Sequence, residues 1–254
     1  MTAVLAAAGW TGAALGVASS LVLAVLGLRA QRRPESVDRA HLKAAVQCLV
    51  GGAVLSMAAL QAALLTDDFG ITYVAENHSR ATNVLYSITG AWSALEGSIV
   101  LWALVLAGFI AVVLRQVRST DDRLGTGALG VMGLVGVFFF GLIVTIANPF
   151  GLEAVPPADG AGGNPLLQDH IMVAFHPPLL YVGYVGFTVP FAFAMSALLL
   201  KQGGVDWLRR TRRANLVAWT SLTAGLVLGG WWSYEVLGWG GYWAWDPVEN
   251  AALI

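Results

Sequence analysis

An all-α, polytopic membrane bundle is the fold this chain predicts, and three observations predict it. Of 254 residues, 57% are hydrophobic and 11% charged, against about 25% charged in an ordinary soluble domain. The mean hydropathy is +0.70. Six stretches are long enough to cross a hydrocarbon core of about 30 Å, which takes roughly 20 apolar residues of helix. This balance excludes a soluble globular enzyme, and a net charge of −1 leaves no basic surface for nucleic acid.

The spans are read at 3–28, 44–65, 98–114, 124–146, 179–200 and 214–232, with a seventh starting at Pro247. Lipid tolerates no exposed strand edge, so each must be helical. The first is not a signal peptide, because Met1-Thr2-Ala3-Val4 carries no positive side chain and the arginines follow the apolar run. Ala251-Ala252-Leu253-Ile254 offers no cap, breaker or polar tail, as expected of a chain cut within its seventh span.

Orientation follows from charge. The connections at 29–43, 115–123 and 201–213 hold 13 of the 14 Lys and Arg residues; the alternate ones hold only Arg80, with 10 of the 15 acids. Positive loops stay in the cytoplasm. The N-terminus and segments 66–97, 147–178 and 233–250 are therefore expected outside. No internal repeat is visible, and the Gly/Pro-rich run 155–163 reads as a flexible external loop. A single cysteine, Cys48, cannot support thiol–disulfide chemistry. The chain is expected to form one transmembrane domain over 1–254, with chemistry confined to the external segments.

The densest of these is 231–250, where 5 of the 10 tryptophans fall within 15 residues. An aromatic belt at headgroup level accounts for one or two rings per helix end. Here rings alternate with Gly238, Gly240 and Gly241, which leave room for a flat ligand near the backbone. Trp239 and Trp243 lie four apart and share a face if the segment is helical, giving an aromatic floor suited to a planar macrocycle. Asp246-Pro247-Val248-Glu249 has the pattern of an N-cap, a proline at the first helical position and an acid at the third, so capping alone accounts for both acids.

In the second external segment His176 precedes Pro177-Pro178, and a residue before proline is pushed away from helical geometry. Its imidazole is expected at the outer membrane surface, either as a hydrogen-bonded structural residue or as a ligand. His170, His78 and His41 have no ligand spacing with it, and His78 and His41 read as solvated. There is no zinc spacing, serine elbow or phosphate loop. In the third segment Glu96 falls in a first helical turn, where the helix dipole accounts for it as well as binding does.

Taken in order, these segments resemble one family. Trp239-Gly240-Gly241-Tyr242-Trp243-Ala244-Trp245-Asp246-Pro247-Val248-Glu249-Asn250 is similar to the tryptophan-rich "WWD" signature of haem-handling membrane proteins. His176-Pro177-Pro178-Leu179-Leu180-Tyr181 and Glu96-Gly97-Ser98, followed by Leu101-Trp102, resemble its CcmF branch, the haem lyase subunit of cytochrome c maturation. The chain departs at Ala244, where the family carries an aromatic, and at Tyr242, where it carries tryptophan.

The resemblance implies a bacterial inner-membrane protein that takes haem from a periplasmic haem chaperone. It would then help couple the haem to Cys-x-x-Cys-His motifs of apocytochrome c, beside other maturation subunits in the lipid. It makes His176 one axial ligand of the external haem, with Trp239, Gly240, Gly241, Tyr242, Trp243, Trp245, Asp246, Pro247, Glu249 and Asn250 forming the haem-binding segment. The second axial ligand and the histidines of a separate b-type haem lie beyond Ile254, so the chain alone is expected to be inactive. Arg80 is a weak candidate for a haem propionate. Other readings remain: a haem transporter, a non-catalytic assembly scaffold, and a quinone-linked electron-transfer protein whose haem ligands would lie beyond this sequence. The first needs a polar path through the spans, yet their interiors hold no charge and no histidine; loss of haem binding on mutating His176 would speak against the second.

Overall fold

The structure is a computed structural model describing residues 1–168, 170–202, 204–236 and 241–253. Among these residues the chain is all-helical, apart from one isolated antiparallel bridge between Ile71 and Leu152. The long helices are α1 (Thr2–Arg32), α2 (Arg39–Leu65), α5 (Leu95–Gln116), α6 (Arg123–Val144) and α10 (Asp206–Val236). Short helices α3 (Thr72–Asn77) and α4 (Val84–Thr89) join α2 to α5. After α7 (Pro165–Gln168), helices α8 (His176–Gly186) and α9 (Thr188–Leu199) run nearly end to end, and α11 (Pro247–Leu253) closes the described chain.

Five segments are long and apolar enough to cross a bilayer: α1, α2, α5, α6 and Ile171–Leu199, which includes α8 and α9. The stretch read at 214–232 lies inside the 31-residue α10, where Asn215, Thr220, Ser221 and Thr223 dilute its apolar character, and it is not among the five.

The fifth segment differs from its prediction in two ways. It starts earlier, at His176, because Pro177 and Pro178 occupy first-turn positions where a missing N–H costs nothing. It also breaks at Phe187, where Pro190 cannot donate to Gly186 and its ring crowds that carbonyl.

Helix α1 is central, packed between α2 and α6, with α5 bridging α2 and α6 and the α8–α9 pair lying between α5–α6 and α10. Close backbone contacts between the long helices require glycine, as at Gly12 and Gly27. A Cβ on Gly12 would stand 2.6 Å from the Gly52 carbonyl oxygen, and one on Gly27 would stand 2.5 Å from the Gly130 nitrogen. In lipid, where apolar faces gain nothing by leaving the solvent, such close approach supplies the packing attraction.

Both ends are tied by polar contacts. At one end Asp122 caps α6 and takes a bidentate pair from Arg210 at 2.6 and 2.7 Å, while Arg39 donates to the Val117 carbonyl at 2.8 Å. At the other, the two loops meet: Ala161 donates to Ala75 at 2.8 Å, Glu153 to Gly70 at 3.0 Å and Arg80 N–H to Asp159 at 2.9 Å. Run 155–163 is therefore anchored at Asp159 and Ala161, against the reading of a freely flexible loop. The Arg80 hydrogen bond also holds the Asp159 carboxyl below the usual range.

Candidate functional site

The site is built where the start of α8 meets the upper half of α10. Imidazole Nδ1 of His176 lies 2.8 Å from the Gly225 carbonyl oxygen of α10. A carbonyl only accepts, so Nδ1 carries the proton and Nε2 keeps its lone pair. Metal-binding histidines are held in this way, with the second nitrogen donating to a backbone carbonyl or carboxylate.

The ring fits because α10 is bare at this level. A Cβ on Gly229 would stand 2.4 Å from His176 Cε1, so any side chain there would displace the imidazole. The Trp232 ring lies 5.8 Å from the imidazole at a tilt of 43°. His176 is thus half-buried against α10, held as a hydrogen-bonded residue. A helix neighbour with no side chain offers a deeper seat than the backbone preference of one residue could reveal.

His176, Trp232, Tyr242 and Trp243 line a common cleft of about 210 Å³. Tyr242 and Trp243 also border two adjoining hollows of about 430 and 490 Å³, in the size range of small-molecule sites. The indole N–H groups of Trp232 and Trp243 are buried and have no hydrogen-bond partner among the described residues. Buried donors of this kind normally have one. Two unspent donors beside an imidazole with a free lone pair fit a ligand carrying both a metal and acceptor atoms.

The tryptophan-rich segment is shaped by its acids. Asp246 accepts from Glu249 N–H at 2.7 Å, and Glu249 accepts from Ala244 and Trp245 N–H at 2.6 and 3.1 Å. Asn250 donates to the Trp245 carbonyl at 3.1 Å. These bonds hold Trp245 at φ +57°, a left-handed conformation uncommon for a residue with a side chain. Pro247 begins α11, as the capping pattern predicted. Asp246, Glu249 and Asn250 thus build the turn, while Asp246 and Glu249 also border the cleft. Ser233 ties the segment to α10 by donating to the Gly241 carbonyl at 3.0 Å, and Tyr184 of α8 donates to Val248 at 3.0 Å.

The shared helical face proposed for Trp239 and Trp243 does not form at Trp243, because residues 241–246 are not helical. Trp239 and Gly240 lie outside the described residues. Trp243 and Trp245 meet edge to face, 5.9 Å apart at 77°, and so do not form a flat floor.

The other histidines separate cleanly. His78 is not solvated: it is 2% exposed, 2.8 Å from Asp67 and stacked on Phe69. His170 accepts from Met172 N–H through Nδ1 at 3.3 Å, so its Nε2 donates to Glu235 at 2.7 Å and no lone pair remains. Glu235 also accepts from the Trp231 indole, and that bond, followed by the one from His170, keeps its carboxyl below the usual range. His41 is exposed, as expected. Glu96 is half-buried in the first turn of α5. Arg80 lies over the Phe69 ring and donates to Ala158, which ties it to the loops.

Sequence reasoning missed Gly225, Gly229 and Trp232 as members of the site. The spacing Gly225-Leu226-Val227-Leu228-Gly229 was the available signal, since two glycines four apart mark a close helix contact in lipid.

The cytochrome C assembly protein family matches residues 92–254. The cytochrome c-type biogenesis protein ccl1 of Rhodobacter capsulatus is 42% identical over 242 residues, covering 94% of this chain and 37% of that protein. CcmF of Escherichia coli is 45% identical over 195 residues, covering 76% of this chain and 30% of its own length. The solved structure of a cytochrome c haem lyase CcmF superposes with a TM-score of 0.83 at 40% identity, covering 98% of this chain and 39% of that one. The chain thus spans about a third of the length of the relatives it matches. By these matches the chain belongs to the cytochrome C assembly protein family, in its CcmF branch.

Proposed function

We propose that this chain is the haem-receiving portion of a cytochrome c haem lyase. Haem is the substrate, and His176 Nε2 supplies one axial ligand to its iron. The observation that carries this reading is the His176 Nδ1 contact with Gly225 at 2.8 Å, which leaves Nε2 as a lone-pair donor in a tryptophan-walled cleft. Axial identity and burial are the means by which a protein tunes haem iron.

The Trp232 and Trp243 donors are candidates for haem's acceptor groups, and Asp246, Glu249 and Asn250 hold the Trp245 turn in shape. A thioether forms by adding a cysteine S–H across a haem vinyl group: sulfur bonds to one carbon, the proton to the other, and no net electrons are exchanged. The chain's contribution to such a step is positioning. The haem would come from a haem chaperone and the thiols from an apocytochrome. On this reading a second axial ligand and a b-type haem are held by groups other than those described, and other maturation subunits are separate partners.

The same reading makes 214–232 of α10 the sixth span of a bacterial inner-membrane protein, with the cleft on the external side. The distribution of Lys and Arg supports that orientation. Reporters fused at 160 and 205 should give external and cytoplasmic signals respectively; the reverse pattern refutes the orientation.

The decisive experiment is a haem titration of the purified chain and its His176→Ala variant, followed at the Soret band. The proposal requires a ligation-dependent band shift in the wild type and its loss in the variant. Equal spectra in a folded variant would refute His176 as the ligand.

A further inference from the structure

Away from the cleft, the bundle carries a second cavity of about 670 Å³ between α1, α6 and α9. Its walls are apolar and open: Leu134 and Phe138 of α6 are 51% and 59% exposed, and Phe191 and Leu199 of α9 are 52% and 54% exposed. One end is cationic, where Arg32 and Arg123 line the groove. No acidic side chain lines it among the described residues.

That end is built rigidly. Arg123 donates through Nε to the Gln31 carbonyl at 2.6 Å. Gln31 is buried and donates to the Ser196 hydroxyl and carbonyl at 2.7 and 3.0 Å, and Ser196 donates to the Leu124 carbonyl at 2.7 Å. Three helices are thereby locked behind a guanidinium whose two Nη groups have no partner among the described residues. Arg32 is exposed and also unpaired among them.

The groove has the dimensions of one lipid leaflet. Arg123 and Phe138 are 15 residues apart on α6, about 22 Å at the rise of a helix. Half of a bilayer of about 40–45 Å, headgroups included, is the same length.

We infer that this groove binds one anionic phospholipid, with its acyl chains on α6 and α9 and its phosphate between Arg32 and Arg123. Charge complementarity selects this occupant, because an apolar helix of a partner protein would leave both arginines unmatched. Each arginine near an anionic headgroup is worth about fivefold in affinity.

The test is native mass spectrometry of the detergent-purified chain titrated with phosphatidylglycerol or phosphatidylcholine of matched acyl chains. Phosphatidylglycerol should bind about 25-fold more tightly, from two arginines at about fivefold each. Arg32→Gln with Arg123→Gln should bring the two lipids level, and Arg32→Lys with Arg123→Lys should retain most of the preference. Leu134→Trp, which fills the groove, should lose both lipids. Equal affinities in the wild type, or a preference that survives the double glutamine variant, would overturn the assignment. The lysine pair shows that a loss in the glutamine pair comes from charge rather than from misfolding. Spectra of haem-loaded protein should be the same in all variants, because the groove and the haem cleft share no lining residue.

Discussion

His78 and His176 are both withdrawn from solvent and both held by a 2.8 Å contact, yet they lie in regions of opposite character. Around His78 everything is closed. Its Nε2 meets the Asp67 carboxylate, its ring stacks on Phe69, and a Cβ on Gly160 would stand 2.0 Å from its carbonyl oxygen. Around His176 the protein uses Nδ1, through a neutral carbonyl, and the residue lines a cleft shared with Trp232 and Trp243, whose indole donors are unspent among the described residues. On the proposed reading, burial alone does not distinguish a ligating histidine from a structural one. The mark is which nitrogen the scaffold occupies and whether the other faces a space that something can fill.

The sharpest way to break the contrast is Gly229→Val. A valine there drives into the His176 ring, so haem affinity should fall about 10- to 100-fold, as when the support of a metal-binding histidine is lost. Soret titration reads this directly. Unchanged affinity would mean that the bare face of α10 does not seat the imidazole.

Next comes His78→Ala. Removing a buried, paired side chain should cost about 1–3 kcal/mol, seen as a lower melting temperature, while the folded fraction keeps its haem affinity. A parallel loss of haem affinity would erase the distinction between the two histidines.

Trp243→Phe keeps an aromatic ring, though a smaller one, and deletes one orphan donor. If haem acceptors meet that donor, affinity should drop by about 2- to 10-fold, the worth of one net hydrogen bond at 0.5–1.5 kcal/mol. Titration of this variant beside Trp232→Phe separates the two indoles.

The smallest effect belongs to Glu235, an exposed group. Its lowered carboxyl pKa means that its contacts with Trp231 and His170 contribute fully above the ordinary carboxylate range. They are lost as pH falls through the lowered value. The Glu235 carboxyl, followed by its carbon NMR shift, should therefore titrate below the ordinary carboxylate range. A transition at the ordinary carboxylate pH would show that the contacts do not form.

Much of the architecture was legible because lipid imposes a simple rule. Apolar runs of span length must become helices, and α1, α2, α5 and α6 cover their predicted stretches closely. The cap of α11 was equally readable, since Asp246, Pro247 and Glu249 act on backbone groups within a few residues of themselves. The fifth span was read as one helix and is two, because Pro190 cannot donate to Gly186 and interrupts an otherwise apolar run of span length.

What the amino-acid order determined alone is what depends on near neighbours or on bulk transfer to lipid: helical spans, their charge asymmetry, the caps, and the motifs that place the chain in its family. Tertiary structure decided the rest. It brought Gly225 and Gly229 under His176 from 49 and 53 positions away, it buried His78 beneath a loop 82 residues downstream at Gly160, and it set two arginines at one end of an apolar groove. The physical reason is that the free valence of an imidazole or an indole is settled by whichever group packs against it, and in this bundle that group lies on another helix.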